Sequence, residues 1–465
     1  KWGIHQMRDI KHMNIVKKEE KIMYENKKIF ILGMARSGYE VAKVLAKHNN
    51  QLMICDKQKQ EEDKIWELVD LGAKVVITDY PQNYFDESYD LVVKNPGIKY
   101  THPLLEEARE YGIPIVNELE VAYSFFPKDM EIIGVTGSNG KTTTTNLINE
   151  MLKADNKEVV MAGNMGIPVC NVLDKLTSKT ILLLEISIQQ LCDMHDFKTN
   201  VSVLTNITPT HIDFLDTYEN YKNVKKRIFN NHTASDLAIL NKENSDEVEL
   251  TKDIPSTKLY FSSKNDADIC IKNGVIYYKD EEIIKTNEIK LQGMHNYENA
   301  MCAIGAVKHY GVSNEAICKV LREFGGVEHR LEFVRTLNDI SYYNDSKATN
   351  TVSTNIALKA FDKPTTLIMG GLDRGHSFEP LNEAMKNVKL VVCYGQTKER
   401  IEKWANGLGI EVKVVDNLHD ATMYASSKAV AGDVVLLSPA CASWDQYKCF
   451  EDRGTEFKTI VNDLK

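Results

Sequence analysis

Between Ile132 and Thr145 the sequence reads IIGVTGSNGKTTTT. Ile132, Ile133 and Val135 suit a buried strand, the glycines let backbone N–H groups approach an anion, and Thr142 to Met151 can open a helix whose N-terminus favours negative charge. Lys141 is then placed to reach outer phosphates, and the Thr142 hydroxyl to ligate magnesium. The strict phosphate-loop pattern asks for glycine where Val135 stands; here the glycines fall at 134, 137 and 140, so the stretch is a variant. The bland alternative is a glycine-rich connection in an α/β domain.

A chain of 465 residues exceeds one compact core and predicts several domains, three by the landmarks below. The formal net charge of −9 argues against nucleic-acid binding, which calls for a concentrated basic surface. Nine scattered cysteines without a Cys-x-x-Cys pair predict reduced, mostly inert thiols. No apolar run reaches the roughly 20 residues that span a bilayer, so a cytoplasmic protein without membrane insertion is expected. Residues 1–28 carry more basic than acidic side chains without periodicity and are read as an extension of unassigned role.

The first unit, expected over 29–127, opens with the strand Lys28 to Leu32, the turn GMARSG (Gly33 to Gly38) and a helix from Tyr39 to Lys47. This is a dinucleotide-type fingerprint with Ala35 for the middle glycine and Asp56 ending the next strand where a ribose-binding acid belongs. A nucleotide-bearing ligand and a purely structural turn both fit. Strands at Val75 to Ile77 and Leu91 to Val93 continue the alternation, and Asn95-Pro96-Gly97 turns sharply at a strand's C-terminal end.

A second unit, expected over 128–326, holds AGNMG (162–166), the strand Ile181 to Glu185 and VSVLTNITPTH ending at His211. Glu185 follows four apolar residues, so its carboxylate is expected at the end of a buried strand and needs a partner, magnesium or a hydrogen-bond donor. His211 and Asp213 fall in the same loop layer. Apolar residues at 218, 221, 224, 228 and 229 predict an amphipathic helix bearing Lys225 and Lys226. Asn273-Gly274 predicts a hairpin, and helices follow over Asn296 to Tyr310 and Val312 to Phe324. Asn296 and Asn299 suit a base edge or a helix cap. The third unit, expected over 327–465, repeats strand and helix: Ile340 to Asn344 runs into DSKATN, Thr365 to Met369 into GGLDRG, Leu390 to Cys393 into a helix, and Val434 to Leu437 into a polar loop. Three α/β domains with mostly parallel sheets are predicted, Rossmann-like at both ends and phosphate-loop ATPase-like in the centre.

In order, TGSNGKT, AGNMG, Glu185, the segment to His211, HNYEN (295–299), GVEHR (326–330), NDSKATN (344–350), GGLDRG (370–375) and LSPACASWDQYKCFEDRG (437–454) resemble the Mur ligase family over residues 28 to 465. The last three look most like its D-glutamate-adding branch. The resemblance implies an ATP-dependent ligase of peptidoglycan precursor synthesis. It would phosphorylate the carboxylate of UDP-N-acetylmuramoyl-L-alanine and pass the acyl group to D-glutamate.

Carried over, Gly137, Ser138, Asn139, Gly140, Lys141, Thr142 and Thr143 would bind ATP, with Asn296 and Asn299 at adenine and Arg330 and Asp345 completing the nucleotide site. Thr142, Glu185 and His211 would hold two magnesium ions. A lysine carbamylated by carbon dioxide would be a further ligand; the flanking Tyr221 and Arg227-Ile228 favour Lys225 over Lys226. Lys141, His211, Lys225 and Lys347 would carry the chemistry. Ala35, Arg36, Ser37, Asp56, Asn95, Gly97 and Asn164 would hold the UDP substrate, and Lys347, Thr349, Arg374, Ser443 and Phe450 the D-glutamate. Arg374 stands where lysine is expected, and Ser187-Ile188-Gln189 departs from the commoner Ser-Ser-Phe. A monomer is expected. The rivals are a sibling ligase, a folylpolyglutamate-synthase-like enzyme, and a nucleotide-binding regulator without catalysis.

Overall fold

The structure, a computed structural model, describes residues 24–58, 60–164, 166–208, 215 and 217–465. They form two compact units, one up to Arg322 and one from Glu323 onward.

The first unit contains two sheets. One is built from β1 (Lys28–Leu32), β2 (Gln51–Asp56), β3 (Lys74–Ile77), β4 (Leu91–Lys94) and β5 (Ile115–Val116), all parallel, in the order β3-β2-β1-β4-β5. The helix after β1 spans Arg36–Ala46, starting three residues before the expected Tyr39 because Ala35 already serves as its N-cap. The other sheet comprises β6 (Glu131–Thr136), β7 (Val159–Gly163), β8 (Ile181–Glu185), β9 (Val201–Leu204), β10 (Leu237–Asn241), β11 (Thr257–Ser262), β12 (Ile269–Lys272), β13 (Val275–Tyr278) and β14 (Glu281–Lys285). Its order is β14-β13-β12-β11-β10-β9-β6-β8-β7.

Strands β6 to β12 pair in parallel; β12-β13-β14 form an antiparallel appendage turning at Asn273-Gly274. Both turn residues have positive φ, 52° and 75°, as the Asn-Gly pair predicts. One apolar cluster joins the two sheets, running from Ile29 and Ile31 through Leu119, Val121 and Phe126 to Leu182 and Leu184.

In the unit after Glu323, β15 (Glu332–Leu337), β16 (Ile340–Asn344), β17 (Thr365–Gly370), β18 (Val388–Tyr394), β19 (Glu411–Val414) and β20 (Val434–Leu437) stand in the order β15-β16-β20-β17-β18-β19. Only β15 is antiparallel. The sequence reading has no strand at β15. It forms through a tight turn in which Asn338 and Asp339 both take positive φ, 53° and 61°, a conformation open to these side chains. Apolar clusters cover both faces of this sheet.

Candidate active site

In an open parallel sheet, polar residues collect outside the carboxyl ends of the strands, where the backbone turns toward the helices. In the central sheet β9, β6, β8 and β7 are neighbours, and Val135, Glu185 and Gly163 lie in register. Register thus brings the loops after β6, β7 and β8 to one level.

The loop after β6 turns at two glycines with no room for a side chain. At Gly137 (φ +148°) an added Cβ would stand 1.9 Å from Thr205 Oγ1; at Gly140 (φ +81°), 2.2 Å from Asn299 Oδ1. Gly140 caps the helix Lys141–Ala154. Three residues after β9 brace the loop through four hydrogen bonds. The Ser138 N–H donates to Asn206 O (2.9 Å), the Asn139 N–H to Asn206 Oδ1 (2.9 Å), Thr205 Oγ1 to Asn139 O (2.5 Å), and the Thr208 N–H to Ser138 Oγ (2.9 Å). Lys141 Nζ curls back to Gly137 O (2.8 Å) and Ser138 O (3.0 Å). Thr142 is buried and Thr143 partly so at the start of the helix.

Glu185 closes the fully buried strand β8. Its Oε1 accepts from Asn164 Nδ2 at 2.8 Å. Its Oε2 is buried without a hydrogen-bond partner among the described residues. Gly163 (φ +101°) permits the approach of the 162–166 loop, since a Cβ there would lie 2.4 Å from Glu185 O. On the other side the helix Tyr218–Lys226 buries Lys225, 1% exposed, while Lys226 remains partly exposed. Lys225 Nζ donates to Thr136 Oγ1 and Gly137 O, each at 2.9 Å. Burial, helped by the charge of Lys141, holds this amine well below the usual lysine range, against the opposing pull of Glu185. Tyr221 of the same helix places its hydroxyl 2.7 Å from Ser138 Oγ.

Of the two asparagines that the resemblance puts at adenine, Asn299 is buried against the phosphate loop, where Thr144 Oγ1 donates to its Oδ1 at 3.4 Å. Asn296 is partly exposed, its amide donating to Gln292 O at 2.9 Å. His211 and Asp213 lie outside the described residues. Among the described residues no group of three or more His, Cys, Asp or Glu could hold a metal ion, and no helix is long and apolar enough to cross a membrane.

At the carboxyl edge of the first sheet, Ala35 and Arg36 are exposed and Ser37 partly so. Arg36 Nη1 reaches Gly166 O at 3.4 Å, tying this edge to the Asn164 loop. Asp56 turns both oxygens to backbone, accepting from the Met34 N–H (2.5 Å) and the Gln58 N–H (2.7 Å), so it shapes the turn. Asn95 Oδ1 accepts from the Gly97 N–H at 3.3 Å, and Asn95 Nδ2 is buried without an acceptor among the described residues.

In the unit after Glu323, Asn344, Leu437 and Ile368 align across β16, β20 and β17, so the loops carrying Lys347 and Thr349, Ser443 and Phe450, and Arg374 leave the sheet side by side. Lys347 Nζ lies 5.7 Å from the centre of the Phe450 ring, and the Arg374 guanidinium 4.7 Å from that of Trp444. Ser443 is buried, its hydroxyl without a partner among the described residues. Arg330 is exposed. Asp345 is buried; burial pushes its carboxyl up to about 7, against hydrogen bonds from Ser438 Oγ and the Leu331 N–H and the charges of Arg330 and Arg453.

Residues not singled out from sequence support these groups. Arg453, 0% exposed, donates to Ser346 Oγ (2.9 Å), Ser346 O (2.8 Å), Cys441 O (3.1 Å) and Gly370 O (3.4 Å). Tyr221 and Thr205 brace the phosphate loop. For Arg453 and Thr205 the only signal is membership of a quoted motif; Tyr221 enters the sequence reading as a landmark for Lys225, without a role at the loop.

The chain matches the Mur ligase MurD-like N-terminal domain over residues 27–117, the Mur ligase middle domain over 135–307 and the Mur ligase glutamate ligase domain over 329–441. It is 42% identical to the UDP-N-acetylmuramoylalanine--D-glutamate ligase of Geobacillus sp. (strain WCH70), over 95% of this chain and 99% of that one. It is 41% identical to the ligase of that name from Bacillus thuringiensis (strain Al Hakam), over 95% and 98%. Among solved structures, the UDP-N-acetylmuramate-alanine ligase of Thermotoga maritima shares the fold, with a TM-score of 0.55 at 19% identity over 94% of this chain and 100% of that one. With three matched domains in order and relatives alike along almost the whole length, the chain belongs to the Mur ligase family.

Proposed function

We propose that this chain is the ligase that joins D-glutamate to UDP-N-acetylmuramoyl-L-alanine at the expense of ATP, through an acyl phosphate, in peptidoglycan precursor synthesis. One observation carries the reading beyond the relatives' names. A phosphate loop bearing Lys141 is bonded by a buried, neutral-leaning Lys225 beside a buried carboxylate, Glu185, that keeps one oxygen without a donor among the described residues.

A free carboxylate is a poor acyl donor, so transfer of the γ-phosphoryl group to the alanyl carboxylate must come first. The loop from Gly137 to Thr143 would cradle the phosphates: the Ser138 and Asn139 N–H groups are engaged by Asn206 and hold the loop's shape, while the helix N-terminus at Lys141 to Thr143 and the Lys141 ammonium would offset charge on the phosphate oxygens. The acceptor would lie along Ala35, Arg36, Ser37, Asn95, Gly97 and Asn164, with Asp56 holding the turn. Asn296 would meet the adenine, Asn299 would set the loop, and Arg330 and Asp345 would serve ATP binding. Lys347, Thr349, Arg374, Ser443 and Phe450 would receive D-glutamate, whose amine attacks the acyl phosphate and expels phosphate.

The donor set fits magnesium, since Glu185 Oε2 is a hard oxygen ligand lacking any other partner among the described residues. Thr142, Glu185, His211 and a carbamylated Lys225 would hold two ions; bound magnesium supplies positive charge to the phosphate oxygens. The depressed basicity of Lys225 supports carbamylation, because only the neutral amine adds to carbon dioxide, releasing a proton. We assign residues 29–127, 128–326 and 327–465 to the UDP-substrate, ATP and amino-acid domains, and propose a cytoplasmic monomer.

The test is ATP-dependent phosphate release with UDP-N-acetylmuramoyl-L-alanine and a panel of amino acids. D-glutamate alone should support turnover, and Lys141→Ala should abolish it with folding intact by circular dichroism. Turnover undiminished in that variant, or preference for another amino acid, would sink the reading.

A further inference from the structure

Lys94 ends β4 and leads into the turn Asn95–Gly97, yet its side chain runs inward. It is 0% exposed, and its Nζ lies 2.9 Å from Asp193 Oδ2, itself 2% exposed. The same ammonium faces the carbonyls of Ile98 (3.3 Å) and Asn95 (3.5 Å), so it braces the turn from beneath. Asp193 Oδ1 accepts from the Tyr100 hydroxyl at 2.5 Å, and Cys192 O lies 2.8 Å from that hydroxyl. Cys192 O also accepts from Arg227 Nη1 at 2.5 Å. Arg227 immediately follows the helix that carries Lys225. Lys94, Asp193 and Tyr100 thus form one buried polar cluster between the turn and the Cys192–Asp193 backbone, and the Cys192 carbonyl is held by Arg227 at the end of the Lys225 helix.

Cohesion alone does not account for a fully buried ion pair, because desolvation largely cancels its attraction and an apolar pair of similar volume would hold as well. Cohesion here already has other sources. The apolar cluster spans both sheets, Asn117 Nδ2 donates to Gln190 O at 2.5 Å, and Glu120 accepts backbone N–H groups from His195, Asp196 and Phe197. What the pair adds is direction: it fixes one relative placement of the turn and the segment after β8. That turn carries Asn95 Nδ2, a buried donor without an acceptor among the described residues.

We propose that the Lys94–Asp193 ion pair is a positioning element that sets the Asn95–Gly97 turn, and with it the nucleotide-sugar end of the acceptor, at a fixed distance from the Lys225–Glu185 centre. The inference rests on the functional reading above. Asp193 and Lys94 touch no substrate; they act through the turn and through Arg227.

The test is steady-state kinetics on the full chain, varying each substrate in turn, with calorimetric binding of UDP-N-acetylmuramoyl-L-alanine in the absence of ATP. Asp193→Asn should weaken acceptor binding and raise the acceptor KM by about tenfold, leaving the KM values for ATP and D-glutamate within about twofold. Asp193→Glu should recover most of the loss. Tyr100→Phe, which deletes one oxygen and spares the ion pair, should raise the acceptor KM by about threefold and serves if Asp193→Asn fails to fold. An unchanged acceptor KM in the folded variants, or equal shifts for all three substrates, overturns the proposal. A wild-type chain inactive with this acceptor and D-glutamate overturns the functional reading instead, and this one with it.

Discussion

Two adjacent lysines, Lys225 and Lys226, differ in what surrounds the nitrogen. Lys225 is buried at the phosphate loop with Lys141's charge nearby, and both effects favour the neutral amine. Lys226 is partly exposed. Lys225→Ala should therefore cut turnover by about a thousandfold, with partial rescue by a short carboxylic acid that returns an anionic oxygen to the vacated space; Lys226→Ala should stay within about twofold. Rescue at 226 and not at 225, read in the same phosphate-release assay, would reverse the assignment. Because the neutral amine is the reactive form, activity at limiting bicarbonate should fall as pH drops through the lysine's folded-state value. Gly137 offers a steric counterpart. With φ +148° and only 1.9 Å between a built Cβ and Thr205 Oγ1, Gly137→Ala must displace the loop or the Thr205 segment. A loss of about 3 kcal/mol in stability, with ATP binding lost in a calorimetric titration, is expected.

Elements make the site by register. In the central sheet the neighbours β9, β6, β8 and β7 deliver the bracing segment, the phosphate loop, Glu185 and Asn164 to one edge; in the other unit β16, β20 and β17 deliver three loops side by side. Arg453 ties those three loops from below through Ser346, Cys441 and Gly370. Arg453→Ala would leave those acceptors buried and unpaired. We expect about 3 kcal/mol of lost stability by urea unfolding and a KM for D-glutamate raised more than about tenfold, with the KM for ATP moving less. Equal effects on both substrates would make Arg453 structural only. Within the quoted motif ending FEDRG nothing distinguishes this arginine from its charged neighbours, and its burial follows from which strands stand together. The strand order is likewise not written in any one segment. Local chemistry was legible where backbone geometry leaves few choices. The glycines at 137 and 140, the Asn-Gly hairpin and the apolar run ending in Glu185 each appear as their residues dictate, whereas β15 escaped because its turn rests on two left-handed non-glycine residues.

At the scale of the whole chain, ionisation links these particulars to stability. The net charge of −9 and the many surface carboxylates say little about the fold, but a buried acid does. Glu118, 3% exposed, starts the helix Glu118–Tyr123 at the junction of the first two sheets, and its Oε1 accepts from the Cys170 N–H at 2.5 Å. Burial pushes its carboxyl up to about 7, against the lowering effect of the Cys170 and Val169 hydrogen bonds. Between the unfolded value of about 4.5 and the folded value, the native chain holds a proton that the unfolded chain has lost. Stability from this group is therefore full below the unfolded value, declines as pH rises, and is spent above the folded value. Glu118→Gln keeps an oxygen for the Cys170 N–H and removes the titration. Urea unfolding should give equal stabilities for the two proteins near pH 4 and a variant more stable by about 3 kcal/mol near pH 8. Asp345, pushed up to about 7 by burial, adds a slope of the same sign in the other unit, so the variant retains part of the pH dependence. A Glu118→Gln protein less stable than wild type at pH 8 would mean that the junction holds the carboxylate ionised, its charge met by the two backbone N–H groups.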